Sequence, residues 1–381
     1  MIAGMGARDV VSIDDVARQA GVNKSTVSRT WSHPDLVSDV TRERVLRAAA
    51  DLGYRPNTIA QMLATGTNPL IPLLVPDIAN PFFVELARGV AAAAEREGRF
   101  LTLCDTHGDV ELEEQYLTSL ANLRVQVAVL VPTSDTDIDA VAALSEEAGL
   151  VTVLVDRVSP DVQLPALSTD QAAGIDLGFD HLRSLGHRHI AHAAGPTTTR
   201  TGAERLSRYR ERMLEVGEEP IVAAGGYTME EGRAVADELA SSSTPVTAVL
   251  AANDVSAIGL LGRFAELDIA VPGDVSVVGF DGLPLASHVR PSLTTVHQPV
   301  AEIGSTAVTL GLLQAQGHEH RDAVPPHKRF EPSLTIGGST DVVGSGLPRM
   351  GQQPTDAEQP EAPAAGTTGV LARVARTTAS P

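Results

Sequence analysis

The chain contains one cysteine, Cys104, among 381 residues. A lone thiol excludes an internal disulfide and a cysteine-rich zinc site, and it fits a reducing cytoplasm. Aromatic residues are also scarce, at 3%, so the interiors must be built from Ala, Val, Leu and Ile. No apolar run approaches the roughly 18 residues of a membrane span. The opening stretch MIAGMGARDV has no cationic segment followed by an apolar block, so no secretory signal is read there. P-loop, G-x-S-x-G and H-E-x-x-H patterns are absent. GMGARD at Gly4 follows no strand, so it is not a dinucleotide fingerprint. His187, His189 and His192 in HRHIAH have no Cys or carboxylate at ligand spacing and read as surface or core residues. Neither an enzyme nor a bound metal or cofactor is expected.

What is abundant is acid: 48 Asp and Glu against 29 Lys and Arg, a formal charge of −19. The charge is unevenly spread. Residues 1–66 hold eight basic and seven acidic side chains, a net of +1, which leaves −20 for the remainder. Only two lysines occur, Lys24 and Lys328. An acidic body resists indiscriminate adhesion to DNA, while a locally basic head still binds it.

The head reads as three short helices. In SIDDVARQAG, Ser12 caps a helix with Asp15 in capping-box position, and Ile13, Val16, Ala17 and Ala20 form its apolar stripe. Gly21 breaks it. Asn23 opens a second helix whose inner face carries Val27. A third runs from Ser38 to Gly53, with Val45, Ala49 and Leu52 along its apolar edge. Two helices joined by a glycine turn and backed by a third read as a helix-turn-helix domain. RPNTIAQMLATGTN then supplies a short helix between head and body. From Leu70 onward, Val/Leu/Ala-rich runs alternate with amphipathic helices, the pattern of parallel sheets covered on both faces. The series is long enough for two such α/β units in tandem.

In a helix-turn-helix, the start of the second helix meets the base edges. Here those residues are Asn23, Lys24, Ser25, Thr26, Ser28 and Arg29. Lys24 and Arg29 can donate to guanine O6 and N7. Ser25 can meet a base or a phosphate; Thr26 and Ser28 suit phosphate.

These motifs resemble those of the LacI/GalR family of bacterial transcription regulators. The likeness rests on SIDDVARQAGVNKSTVSR and VTRERVLRAAADLGYRPNTIAQML, followed by IPLLVPDIANPFF, VDR, LSTDQAAG, AANDVSAIGLL, VPGDVSVVGFDG and RPSLTTVHQPV. It covers roughly residues 11–338. The resemblance implies base contacts from Lys24, Ser25 and Arg29. It also implies a hinge helix over 57–65 that enters the minor groove, with Asn57 on DNA, Ala60 near the groove floor and Leu63 as a wedge between base pairs. Without the family, Leu63 would read as an ordinary packing residue. Trp31 and Ser32 depart from the usual aliphatic residue and Asn, and Arg208 stands where the family has Gly.

The implied body is periplasmic-binding-protein-like, with two parallel-sheet subdomains around a ligand cleft. By position, the cleft takes Asn80, Phe82, Phe83, Asp156 and Arg157 from the first half. The second half offers Asp170, Arg205, Tyr209, Tyr227, Asn253 and Asp281, with Gln298 near a crossover. Carboxylates that accept paired hydroxyls, donors from Arg and Asn, and an aromatic face suit a sugar. Asp281 and Asn253 equally read as helix caps, and one of Phe82 and Phe83 as core. Arg205 also reads as a surface ion pair.

The expected organisation is therefore a flexible extension (1–10), an all-α helix-turn-helix headpiece (11–56), a hinge helix and linker (57–68), an α/β body (69–338) and a disordered tail (339–381). Within the body, the N-subdomain takes about 69–168 plus 299–325, and the C-subdomain about 169–298 plus 326–338. The expected function is a cytoplasmic repressor that binds a palindromic double-stranded DNA operator as a homodimer, under control of a small carbohydrate. A nucleoside-responsive regulator, or a ligand-binding protein without DNA function, is the alternative.

Overall fold

The computed structural model describes residues 11–55, 68–134, 136–158, 162–317 and 327–344. The expected hinge helix, with Asn57, Ala60 and Leu63, lies outside them, as do the extension 1–10 and residues 345–381.

The head is built from α1 (Ile13–Ala20), α2 (Lys24–Ser32) and α3 (Asp39–Leu52). Ser12 and Asp15 close a reciprocal capping box on α1, and Gly21 and Gly53 end α1 and α3 with φ of 63° and 68°. A Cβ at either φ would be strained, which is why glycine stands there. Val16, Val27 and Val45 are fully buried where the three helices meet. Asn23 is the N-cap residue of α2, but its side chain makes no capping bond. Trp31, the residue unusual for the family, packs against Tyr54 with ring centroids 5.8 Å apart.

The first body unit comprises β1 (Leu70–Val75), α4 (Pro81–Arg96), β2 (Phe100–Asp105), α5 (Val110–Asn122), β3 (Val127–Leu130), α6 (Ile138–Ala148), β4 (Val151–Val155) and β5 (Ala166–Thr169). The second comprises α7 (Gln171–Ser184), β6 (Ile190–Ala194), α8 (Arg200–Glu215), β7 (Ile221–Ala224), α9 (Met229–Ser241), β8 (Ala248–Ala251), α10 (Asp254–Glu266), β9 (Ser276–Asp281) and β10 (Thr294–His297). The chain then returns to the first unit as α11 (Val300–Ala315) and β11 (His327–Phe330), and ends in the second as β12 (Ser333–Thr335).

The first sheet runs β11-β5-β4-β3-β1-β2 and the second β12-β10-β9-β8-β6-β7. Every pair is parallel except β10 with β12. Each unit thus carries the doubly wound strand order 2-1-3-4-5, in which order reverses beside its first strand and ligands meet the carboxyl ends. Strand faces alternate between helix layers: Leu73 and Val129 pack toward α4 and α11, while Leu74 and Leu130 face the opposite core. Gly89 of α4 is where α11 crosses, since a Cβ there would lie 2.1 Å from the Ala301 carbonyl oxygen. The fully buried aromatics of the described body, Phe179, Tyr209, Phe264 and Phe280, all lie in the second unit.

Two expected boundaries need correction. Residues 326–338 do not all belong to the C-subdomain. β11 continues the parallel ladder of the first sheet, with His327 opposite Ala166, and Phe330 sits in the first core. The crossover falls between β11 and β12. Nor does a disordered tail begin at 339. Ser339 is fully buried, its hydroxyl donates to the Val277 carbonyl at 2.6 Å, and it accepts from the Thr294 amide. The Val343 amide donates to Leu185, so residues through 344 are tied to the second unit. His187, read as surface or core, is part of this tie, with Nε2 3.0 Å from the Asp341 carbonyl. No group of His, Cys, Asp and Glu among the described residues has the arrangement of a metal site.

Candidate functional site

The carboxyl ends of both parallel sheets face a shared cleft, and the sequence candidates follow those strands. Asn80 caps α4 after β1, accepting from the Phe82 amide at 3.0 Å with Pro81 in the first turn. This sets Phe82 and Phe83 at the cleft as an edge-to-face pair, centroids 5.2 Å apart. Asp156 and Arg157 follow β4. Arg205 lies one turn into α8, Tyr227 follows β7, Asn253 follows β8, Asp281 ends β9 and Gln298 follows β10. All ten line one pocket of about 290 Å³ together with Thr201. Asp156 and Asp281 hold positive φ of 69° and 122°, backbone states that non-glycine residues occupy at a cost of about 1–3 kcal/mol each.

The electrostatics centre on Arg205, which is 4% exposed. Its Nε donates to Gln171 Oε1 at 2.8 Å, its Nη1 donates to the Ala252 carbonyl, and its guanidinium stacks 3.7 Å from the Phe280 ring centroid. The cation is held by neutral acceptors and a π face rather than by a carboxylate, which leaves it free to meet a ligand. Asp281 Oδ1 accepts from Gln298 Nε2 at 2.8 Å. Burial pushes the Asp281 carboxyl well above its usual range, with Arg205 opposing and neighbouring Asp254 adding to the rise. Asp254, beneath the pocket, is pushed up to about 7 by burial, against bonds from the Thr295 hydroxyl and the Leu283 amide. Burial likewise raises Asp156.

Two candidates, Tyr209 and Asp170, sit differently from expectation. Tyr209 does not face the cleft: it is fully buried, its hydroxyl donates to the Ile190 carbonyl at 2.8 Å and accepts from the Ile221 amide. Arg208, the residue that replaces Gly, turns to Asp176 with a two-pronged ion pair at 2.8 and 3.1 Å, so it faces α7 while Tyr209 enters the core. Asp170 caps α7 by accepting from the Ala173 amide and does not line the pocket. Asn253 does both things expected of it. Its Oδ1 caps α10 at Ser256, its Nδ2 donates to the Tyr227 carbonyl, and it still borders the cavity.

Sequence reasoning missed Thr201 and Gln171. Thr201 lies four residues before Arg205 on α8, hence on the same helix face, and its hydroxyl is 3.3 Å from the Tyr227 hydroxyl. That spacing was available in the sequence. Gln171 carried no such signal, because its partner Arg205 is distant along the chain.

On the head, Asn23, Lys24, Ser25 and Arg29 are exposed and Thr26 and Ser28 half-buried, while Val27 turns inward. Lys24 Nζ pairs with Asp14 at 3.1 Å. The outward face of α2 is thus polar and open, on a helix anchored inward by Val27 with Trp31 packed beside it.

A head with an exposed reading helix, joined to a two-subdomain body around a small polar cleft, defines a ligand-binding transcription regulator. Comparison agrees. Residues 12–57 match the bacterial regulatory proteins of the lacI family, and residues 179–340 match the periplasmic binding protein-like domain. The chain is 33% identical over 331 residues to the HTH-type transcriptional repressor PurR of Photobacterium profundum, covering 86% of this chain and 98% of that one. It is 33% identical to the ribose operon repressor of Halalkalibacterium halodurans, covering 81% and 91%. The lac repressor dimer bound to operator and the anti-inducer ONPF superimposes with a TM-score of 0.77 at 28% identity, covering 87% of this chain and 99% of that chain. The chain belongs to the LacI family: it is a DNA-binding transcription regulator with a periplasmic-binding-protein-like effector domain, and not an enzyme. No helix among the described residues is long and apolar enough to cross a membrane.

Proposed function

We propose that the protein is a cytoplasmic repressor that binds a palindromic operator as a homodimer and is released or recruited by a sugar-class effector in the cleft. Two heads related by a two-fold axis read two half-sites, so dimerisation follows from the mode of reading. Base contacts come from Lys24, Ser25 and Arg29, with Asn23, Thr26 and Ser28 as supporting contacts. Asn57, Ala60 and Leu63 are assigned to the hinge.

The observation that carries the effector reading is the convergence of Asp156, Asp281, Arg157 and Arg205 with Phe82 and Phe83 around about 290 Å³. The pocket is small, which favours a single ring over two. Ligand closure turns the subdomains against each other. Control then requires that ligand affinity differ between the two arrangements. A second reading, a nucleobase or nucleoside, draws support from Phe82 and Phe83 on the pocket wall, whose rings offer a face for a planar base to stack on. A thermal-unfolding screen of monosaccharides against nucleosides separates the two. A ligand at 100 times its Kd adds about 2.7 kcal/mol of stability, and stabilisation by nucleosides alone would overturn the sugar reading.

A further inference from the structure

On the other side of Arg157 from the effector pocket lies a second cleft of about 780 Å³. Its walls come from both subdomains: the loop after β3, with Thr133 and Thr136, and the loop into α8, with Thr197 and Thr198. Arg157 borders both cavities, and Arg200 borders the second. The described residues lining it include six hydroxyl side chains and two arginines, and no carboxylate. In a chain with 48 acidic residues against 29 basic ones, two arginines and six hydroxyls on one wall offer donors to a negatively charged group.

Three further features concern the same place. The buried Nε of Arg157 has no hydrogen-bond partner among the described residues. Arg200 is held to Glu204 through Nε at 2.8 Å, and among the described residues its terminal nitrogens have no further partner. The sixteen-residue α8 begins here, and Thr199 caps only its Gly202 amide. The Arg200 and Thr201 amides therefore stand at the positive end of the helix. The threonine wall is itself fixed from behind: buried Glu113 accepts from the Thr133 amide at 3.0 Å and the Thr136 hydroxyl at 2.6 Å.

We propose that this second cleft is an anion site, and that the effector is a phosphorylated sugar with its ring in the small pocket and its phosphate between Arg157, Arg200 and the start of α8. The proposal rests on the sugar reading of the small pocket and adds the charged group. Arg157, on the shared wall, contacts both parts of such a ligand. A planar guanidinium with parallel donors suits phosphate oxygens.

The test uses the full-length protein in thermal unfolding and calorimetry at constant ionic strength. The probes are inorganic phosphate, inorganic sulfate, and matched pairs such as ribose with ribose 5-phosphate and glucose with glucose 6-phosphate. Inorganic phosphate alone raises the Tm, and one ester binds at least about tenfold tighter than its parent sugar, the gain of a charge-assisted hydrogen bond. Arg200→Gln removes the phosphate response and the ester's advantage while parent-sugar binding stays, and Arg200→Lys restores part of both. Unchanged operator binding by the head and an unaltered Tm without ligand show that these variants fold. No response to phosphate, or a response that Arg200→Gln leaves intact, overturns the anion site. Sugars that bind equally with and without phosphate overturn it too, and leave the sugar reading standing. Arg200-dependent phosphate binding with no affinity for any sugar or ester upholds the anion site and overturns the sugar reading. Equal stabilisation by sulfate and phosphate assigns the site to tetrahedral oxyanions in general, and a phosphate-only response to phosphate esters.

Discussion

Gln298 donates from Nε2 to Asp281 Oδ1 at 2.8 Å, both side chains buried, and so ties a pocket carboxylate to the crossover between β10 and α11. The crossover between β5 and α7 does the same for the pocket cation, with Gln171 accepting from Arg205. Each glutamine keeps one buried atom unpartnered, Oε1 in Gln298 and Nε2 in Gln171. Two of the four Asp and Arg side chains of the pocket are thus each fastened to a segment that crosses between the subdomains. This is a physical route from ligand to subdomain rotation.

Replacing Gln171 by Leu should leave Arg205 Nε without its acceptor. Ligand affinity is expected to fall about tenfold or more, the cost of orphaning a donor on a buried charge, while ligand-free operator affinity stays as it was. Calorimetry with the sugar found by the thermal screen measures the first, and anisotropy with labelled operator the second. Undiminished ligand affinity would mean that Gln171 does not position Arg205.

Asp281→Asn keeps an oxygen that can accept from Gln298, so the body is expected to fold. The variant should bind operator as the parent does and lose its response to ligand. Retained responsiveness in an operator-release assay would place the ligand elsewhere.

Arg29→Ala should weaken operator binding by about 5- to 150-fold, the discrimination of one bidentate guanine contact at roughly 1–3 kcal/mol. Ligand-induced stabilisation of the body should not change. Equal affinity of the variant for operator would remove Arg29 from the reading face.

His192 gives the body a predictable acid sensitivity. The ring is fully buried beside Tyr209, its Nδ1 meets the Leu250 carbonyl at 2.8 Å, and its Nε2 has no partner. Burial holds its pKa down to about 4. The unfolded ring titrates near 6.5, so its contribution is complete above about pH 6.5 and is lost as pH falls toward 4. At pH 5 the loss is about 2 kcal/mol. The raised carboxyls of Asp254 and Asp281 act in the opposite sense, gaining stability as pH falls, so the test is a difference. Between pH 7.5 and 5, urea unfolding of His192→Gln should lose about 2 kcal/mol less than the parent. An identical loss would show that His192 does not carry the effect.

Local signals in the chain were readable where the structure they specify is local. Ser12 with Asp15, and the stops at Gly21 and Gly53, mark head helices that need only near neighbours. The Val/Leu/Ala runs announced parallel strands because both sheet faces are covered. What escaped depends on distant partners. Tyr209 and Arg205 lie one turn apart on α8, and only the depth of the Ile190 and Ile221 backbones decides that the tyrosine is core. Ser339 looked like the start of a tail because its polar neighbours gave no hint of the β9 and β10 backbone groups that it satisfies. β11 has the exposed, charged texture of HKRF and joins the first sheet through a ladder to Ala166 that no local pattern encodes.

The most direct measurement is selection and sequencing of DNA fragments bound by the purified full-length protein at near-physiological salt, with and without a cytosolic metabolite extract. Enrichment of one palindrome with two half-sites, in at least one of the two conditions and changed in strength by the extract, is the expected result. Its loss in Arg29→Ala ties it to the reading helix. Recovery of no shared sequence in either condition would contradict a ligand-controlled, operator-specific regulator.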